Sequence, residues 1–478
     1  MPILSVLFHI VLCAGMVLLV PTVSSAATHV VAAPYGAAQV QAAIDAARSG
    51  DTVAIPACNV TWTSRVSISG KALTLQGSGA TTSSRGAGTF GTHITAGSLS
   101  TLEVSASAAN FVTVKGMEFI GSVSGTGSVI SIDGTTNGTV GFRITNVKFT
   151  SVKTSKAISV YDLTYGLIDH VTIQKSGVIV KGVEIVGSEE DAGYAAWKVP
   201  LERGTNKAVY IEDSVFDYDD YPDGAYDGYN GSRVVFRYNS LYNTAPGAHG
   251  TDSGGHRSLM DQVIHNNDYY NTTEENIEAG RTRGGGVLYY NNTLQSGSWG
   301  GFNLINYRSC EGYAGQGSWE LCDGTNWKVQ SPDYIGMSTS GDTMFCSVSR
   351  DTLCTSNANC PAGETCTSFF DGPTNGYPCR DQPGRVTQQM LSPIYSWGNS
   401  AALDPGVFPS KPPCPRLDGT GATGDIQKNR DFYNASSLSD ARSKGLTYTE
   451  YVYPHPLTGA ATPPPVKIPN PPGNVHVE

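Results

Sequence analysis

The chain has 478 residues, of which 39% are hydrophobic and 15% charged, and its formal net charge is −10. That content supports a large buried core and excludes a disordered chain, while the acidic balance argues against nucleic acid, whose binding draws on basic surface. The 55 glycines, with frequent Asn, Ser and Thr, favour an all-β chain with tight turns throughout.

At the start, an apolar run from Ile3 to Val20 is followed by Pro21 and the small residues Ser24-Ser-Ala-Ala27. This predicts a secretory signal over residues 1–26, removed after Ala26, and hence a secreted protein, extracellular or periplasmic, with no membrane association after cleavage. A retained anchor is the alternative, because the first residues carry no Lys or Arg. Next, Gln39 to Arg48 places Val40, Ala43, Ile44 and Ala47 on one helical face and stops at Ser49-Gly50; a strand opens at Thr52-Val-Ala-Ile55. A short helix here would cap the open end of a solenoid.

The middle of the chain repeats. Apolar runs at Phe111-Val-Thr-Val114, Phe142-Arg-Ile144, Gly166-Leu-Ile168, Val209-Tyr-Ile211, Val234-Val-Phe236, Gln262-Val-Ile264 and Val287-Leu288 are each followed by a bend position. The bends fall at Gly116, Asn146, His170, Asp213, Asn239, Asn267 and Asn291, with an apolar or aromatic residue three positions on. Their spacings of 30, 24, 43, 26, 28 and 24 fit the coil of a parallel β-helix with longer loops, the gap of 43 holding an insertion. Asn239, Asn267 and Asn291 are expected to stack as an asparagine ladder.

With the entry segment Val40-Gln-Ala-Ala-Ile-Asp-Ala-Ala-Arg-Ser-Gly-Asp-Thr-Val53 and these coils, the chain resembles the pectin-lyase-like superfamily of right-handed parallel β-helix proteins over roughly residues 35–310. The resemblance implies that fold and activity on extracellular polysaccharide, by lyases such as pectate lyases and chondroitinase-like lyases or by hydrolases such as polygalacturonases. The catalytic signatures of those groups are not intact. Gly166-Leu-Ile-Asp-His170 only partly echoes the Trp-Ile-Asp-His of pectate lyases, Arg380-Asp-Gln-Pro-Gly-Arg385 differs in spacing from their Arg-x-Pro-x-x-Arg, and only Asp219-Asp220 and Ala248-His-Gly250 resemble parts of the polygalacturonase set.

Ionisable residues concentrate between Asp213 and Arg283. The segment His249-Gly-Thr-Asp-Ser-Gly-Gly-His-Arg257 brings two histidines, an acid and an arginine within nine residues, among glycines that allow close approach of a ligand. Counting back from the ladder positions aligns Arg257 with Arg281, and Arg283 follows two residues on. These give His249, Asp252, His256, Arg257, Arg281 and Arg283 as catalytic candidates for β-elimination on a uronate: an arginine neutralises the carboxylate, and a histidine moves protons. The same count aligns Asp223, Asp252 and Glu275. Stacked carboxylates need a cation among them, so Asp219, Asp220, Asp223, Asp227 and Glu275 are candidates for Ca²⁺. Hydrolysis, which needs two carboxylates at a set separation, and non-catalytic glycan binding are the other readings. A polyanionic glycan would be repelled by this acidic chain except at a locally basic or metal-loaded groove.

Of the ten cysteines, eight lie between Cys310 and Cys414; their spacing predicts disulfides rather than zinc, and Cys58 is left over. The expected organisation is a β-helix over 27–309, a Cys-rich insertion over 310–415, a C-terminal strand and cap region over 416–460 and a Pro-rich tail over 461–478. Thr447 to Pro456 is expected as an extended strand.

Overall fold

In the computed structural model the described residues are 25–305 apart from 123, 135–137, 176–180, 190–193, 220–223 and 251–256, and 344–459 apart from 350–351, 368–380, 382, 408–425, 427 and 430. Residues 1–24 of the expected signal over 1–26, the expected Pro-rich tail and Cys310, Cys322, Cys379 and Cys414 lie outside them. Among the described residues no helix is long and apolar enough to cross a membrane.

The chain winds as an all-β parallel solenoid. One bent sheet has 18 strands and a flatter sheet has seven, and every pairing within these two is parallel. Alternation along each strand sends one set of side chains inward. Val112, Val114, Met117 and Phe119 lie in register with Phe142, Ile144, Val147 and Phe149 on the next coil, and the Phe119 and Phe149 rings stack at 5.6 Å. Each coil thus covers the apolar row of the one before, and the core runs the length of the solenoid.

The bend between the two faces of the bent sheet needs a left-handed residue on each coil. Gly116, Asn146, His170, Asp213, Tyr238, Asn266 and Asn291 fill it, all with φ between 51° and 74°. The asparagine ladder stands one residue later. Asn239 Nδ2 donates to Asn267 Oδ1 (3.1 Å), Asn267 Nδ2 to Asn292 Oδ1 (3.0 Å), and Asn292 Nδ2 to Asn399 Oδ1 (3.0 Å). The expected ladder is therefore corrected at Asn291, which is an exposed bend residue.

A helix over Ala37–Ala46 buries Ala37, Val40 and Ile44. Gln41 both donates to and accepts from the backbone of Ser67 (3.1 and 2.8 Å), satisfying the first strand of the flat sheet, Val66–Ile68, as a neighbouring coil would.

The solenoid does not stop at residue 309. Ile394–Trp397 pairs with Gly286–Tyr290, and Phe432–Ala435 pairs with Ile394–Trp397, so the Cys-rich segment is inserted between coils. Within it Cys346 bonds Cys360 and Cys354 bonds Cys366. Cys58 is a free, half-buried thiol.

Residues 447–455 form no strand. They cross the outer face of the bent sheet as a strap, because buried Arg237 donates to the carbonyls of Tyr451 and Val452 (2.7 and 2.8 Å) while its Nε donates to Glu212 (3.1 Å). The Tyr453 ring stacks on Tyr238 at 3.8 Å, and the backbone N–H of His455 donates to Glu212 (3.2 Å).

Candidate active-site cleft

The flat sheet runs through Thr154–Val160, Lys181–Val186, Tyr226–Tyr229 and Gly247–Ala248. Val183, Ile185, Tyr226 and Ala248 face the core, which turns the residues between them outward. Register places Ser159 beside Glu184, Glu184 beside Asp227, and Asp227 beside Gly247. The Arg281 N–H donates to the Pro246 carbonyl (3.1 Å), which continues the row through Arg281. Gly247 has no side chain to fill the row, so a cleft opens there.

Its volume is about 180 Å³, and it is lined by Lys181, Gly224, Tyr226, Asp227, Gly247, Ala248, His249, Arg281 and Arg283. Asp227 is its organising group. His249 Nδ1 lies 2.7 Å from Asp227 Oδ1 and 2.6 Å from Oδ2, and the Lys181 ammonium pairs with Oδ2. Burial alone would raise the Asp227 pKa, but the His249 ring and then Lys181 outweigh it and hold the carboxyl far below its usual range. A carboxylate only accepts hydrogen bonds, so it places the proton on Nδ1 of His249 and leaves Nε2 as the basic nitrogen of the neutral ring.

Lys181 also lies 3.3 Å from Glu184 Oε1 and 5.8 Å from the Tyr229 ring centroid. Burial works against its ammonium, but Asp227 and then Glu184 outweigh that and raise its pKa above the ordinary lysine value. Across the cleft, Arg281 Nε is fixed by Glu278 (2.8 Å), whose other oxygen accepts from Asn303 (2.9 Å). An acidic protein thus presents a recess lined by three cations, Lys181, Arg281 and Arg283, against one carboxylate, as a polyanionic ligand requires.

The structure therefore brings His249, Arg281, Arg283 and Asp227 together. Arg257 is elsewhere in its interactions: it is buried against Asp381 in a two-pronged ion pair (2.8 and 2.6 Å), 4.7 Å from the Trp197 ring centroid. That geometry is an anchor for the chain returning from the insertion, not part of the cleft. Glu275 and Asp219 are exposed and do not line the cleft. Asp220, Asp223, Asp252 and His256 lie outside the described residues.

The described members of the acidic set do not form a Ca²⁺ ligand group. Both Asp227 oxygens are engaged by His249 and Lys181, and Asp219 and Glu275 belong to separate segments. Among the described residues the one group of converging metal-type ligands is Cys346, Cys354 and Cys360, and these are in disulfides.

Lys181 is the residue that reading the sequence missed. It sits inside the longest gap in the repeat, between the bends at His170 and Asp213, and Glu184 and Asp227, which are register partners, are separated by that same interval of 43. Carrying the coil count back across the gap from Asp227 would have reached Glu184 and its neighbour Lys181.

No known protein family matches the sequence, and no curated protein matches it. Among solved structures, an alginate lyase from Paenibacillus sp. str. FPU-7 aligns at 12% identity over 59% of this chain and 94% of that one, with a TM-score of 0.27. A similarity that low carries no weight for function.

Proposed function

We propose that the protein is a secreted polysaccharide lyase that cleaves uronate-containing glycans by β-elimination in the cleft between Lys181 and Arg283. The observation that carries this reading is the His249–Asp227 pair set beside Lys181 and faced by Arg281 and Arg283. A uronate needs these functions together: charge neutralisation at its carboxylate, a base at C5 and an acid at the leaving oxygen.

In this reading Arg281 and Arg283 bind the carboxylate and withdraw charge from it, which acidifies the C5 proton. Nε2 of His249, freed by the hold of Asp227 on Nδ1, removes that proton. The C5–H electron pair becomes the C4–C5 double bond, and the C4–O4 bond breaks. Lys181, kept as an ammonium by its two carboxylates, protonates the departing O4. Water is not consumed, and one product carries an unsaturated uronate at its new non-reducing end.

Hydrolysis is the weaker reading because Asp227 is the one carboxylate among the described lining residues, and it is tied to His249 and Lys181, so no acid pair of the kind hydrolysis uses stands among the described lining residues. The test is incubation of the mature protein with uronate polysaccharides and with neutral glycans, following the ultraviolet absorbance of the conjugated product and the release of reducing ends. Both signals rising on a uronate substrate support the lyase; reducing ends alone favour hydrolysis; retention on the glycan with neither favours a binding protein.

A further inference from the structure

Four charged side chains of alternating sign, Lys156, Glu184, Lys181 and Asp227, run along the outer face of the flat sheet and lead to His249 in the cleft. Lys156 Nζ lies 2.5 Å from Glu184 Oε2, and Lys181 Nζ lies 3.3 Å from Glu184 Oε1. Lys181 continues to Asp227, and Asp227 to His249. Register sets this order, since Lys156 is the strand partner of Lys181 and Glu184 that of Asp227. Two ammonium groups on adjacent strands repel. Glu184 offers one oxygen to each, and with its side chain 3% exposed water screens that attraction little.

We propose that Glu184 is a positioning residue for the reaction: by sharing one buried carboxylate between Lys156 and Lys181, it holds the Lys181 ammonium at the cleft wall as the group that protonates the leaving oxygen. The proposal rests on reading the cleft as that of a lyase. Glu184 does not itself line the cleft, so it acts through Lys181.

Among the described residues, few groups face Lys181. Asp227 and the Tyr229 ring come from the next strand, Glu184 from its own, and Lys156 from the preceding one. The Tyr161 hydroxyl lies 3.5 Å from Glu184 Oε2, and His249, Arg281 and Arg283 complete the cleft from the following coils. Of these, Lys156, Arg281 and Arg283 oppose a second positive charge, and Asp227 and Glu184 favour it. Removing the charge of Glu184 leaves Asp227 alone against the cations and leaves Lys156 without this partner.

The experiment uses the full mature chain with Glu184→Gln, Glu184→Asp and Lys156→Met. Two quantities are read: the alkaline limb of kcat/KM on a cleavable uronate, and the titration of the Lys181 side chain by NMR, assigned through its loss in Lys181→Arg. Glu184→Gln should move both downward by about one pH unit. Glu184→Asp should restore most of that shift, and Lys156→Met should not lower either value. A Glu184→Gln protein that loses thermal stability while both titrations stay in place overturns the proposal. If that variant does not fold, the wild-type titration decides, because a Lys181 that titrates at or below an ordinary lysine contradicts the arrangement. Should the wild type cleave no uronate, the lyase reading fails, and the Lys181 titration separately reports whether Glu184 holds that ammonium.

Discussion

His249 follows the strand that pairs directly with the strand of Asp227, and its Nδ1 stands 2.6 Å from Asp227 Oδ2. That contact fixes which ring nitrogen can act as a base. His249→Ala should therefore lower kcat by ~10²–10⁴-fold with the circular dichroism of the fold unchanged. Asp227→Asn can turn its amide N–H toward Nδ1 and favour the other tautomer, and it also removes a partner of Lys181, so a loss of at least ~10²-fold is expected. Steady-state kinetics on a soluble uronate oligomer would measure both.

The arginines should separate by role. Arg281→Ala and Arg283→Ala should each lower kcat/KM by ~10–10²-fold, since each removes a charge-assisted contact to the substrate carboxylate. Arg257→Ala should act on stability instead. It leaves Asp381 as a buried charge without this ion-pair partner, at a cost of about 3–5 kcal/mol, and thermal denaturation would show it while the folded fraction keeps its kcat.

A chelator distinguishes arginine from calcium as the neutralising charge. With the neutralisation on Arg281 and Arg283, activity should survive EDTA and gain little from added Ca²⁺. Activity that disappears with EDTA and returns with Ca²⁺ would instead assign the role to the metal, and would turn attention to the acidic segment that includes Asp219, Asp220 and Asp223.

The strap makes stability depend on pH through His455. Burial, then the nearby Arg237, lowers its pKa from the ordinary 6.5 to about 4, and its Nδ1 accepts the N–H of Leu457 at 3.1 Å. The unfolded chain binds a proton below pH 6.5 and the folded chain does not until about 4, so this contribution is present above 6.5 and is lost progressively as pH falls through that window. The melting temperature should drop across it, and the drop should be shallower in His455→Asn.

The ladder residue and the bend residue should respond differently. Asn267→Ala leaves the Phe236 carbonyl and the Asn239 amide without the partner they use at 3.0 and 3.1 Å, costing about 1–3 kcal/mol for each buried group. Asn291→Gly keeps the left-handed bend with a residue that prefers it, and should leave the denaturation midpoint nearly unchanged.

Much of the solenoid was legible because each coil repeats one short pattern, and a period survives variable loops. The ladder slipped by one residue at its end because Asn266-Asn267 and Asn291-Asn292 place two asparagines side by side, and only backbone geometry tells the bend from the rung. The continuation beyond residue 309 was hidden by the insertion, although Ile394-Tyr-Ser-Trp-Gly-Asn399 carries the coil pattern. His249, Arg281 and Arg283 could be named because they crowd a short stretch of sequence, whereas Asp227 was expected as a Ca²⁺ ligand and its pairing with His249 was not. Arg257 was grouped with them for the same reason, but its partner Asp381 is 124 residues away, and a distant ion pair leaves no local trace.

The most direct test of the central claim is the mass of the fragments released from a defined uronate oligosaccharide by the wild-type protein and by His249→Ala. Elimination predicts that the two fragments of each cut sum to the mass of the substrate, with one a water lighter than its hydrolytic counterpart, and that His249→Ala releases almost none. Fragments that sum to the substrate plus one water would contradict the lyase account, as would elimination products formed at the wild-type rate without His249.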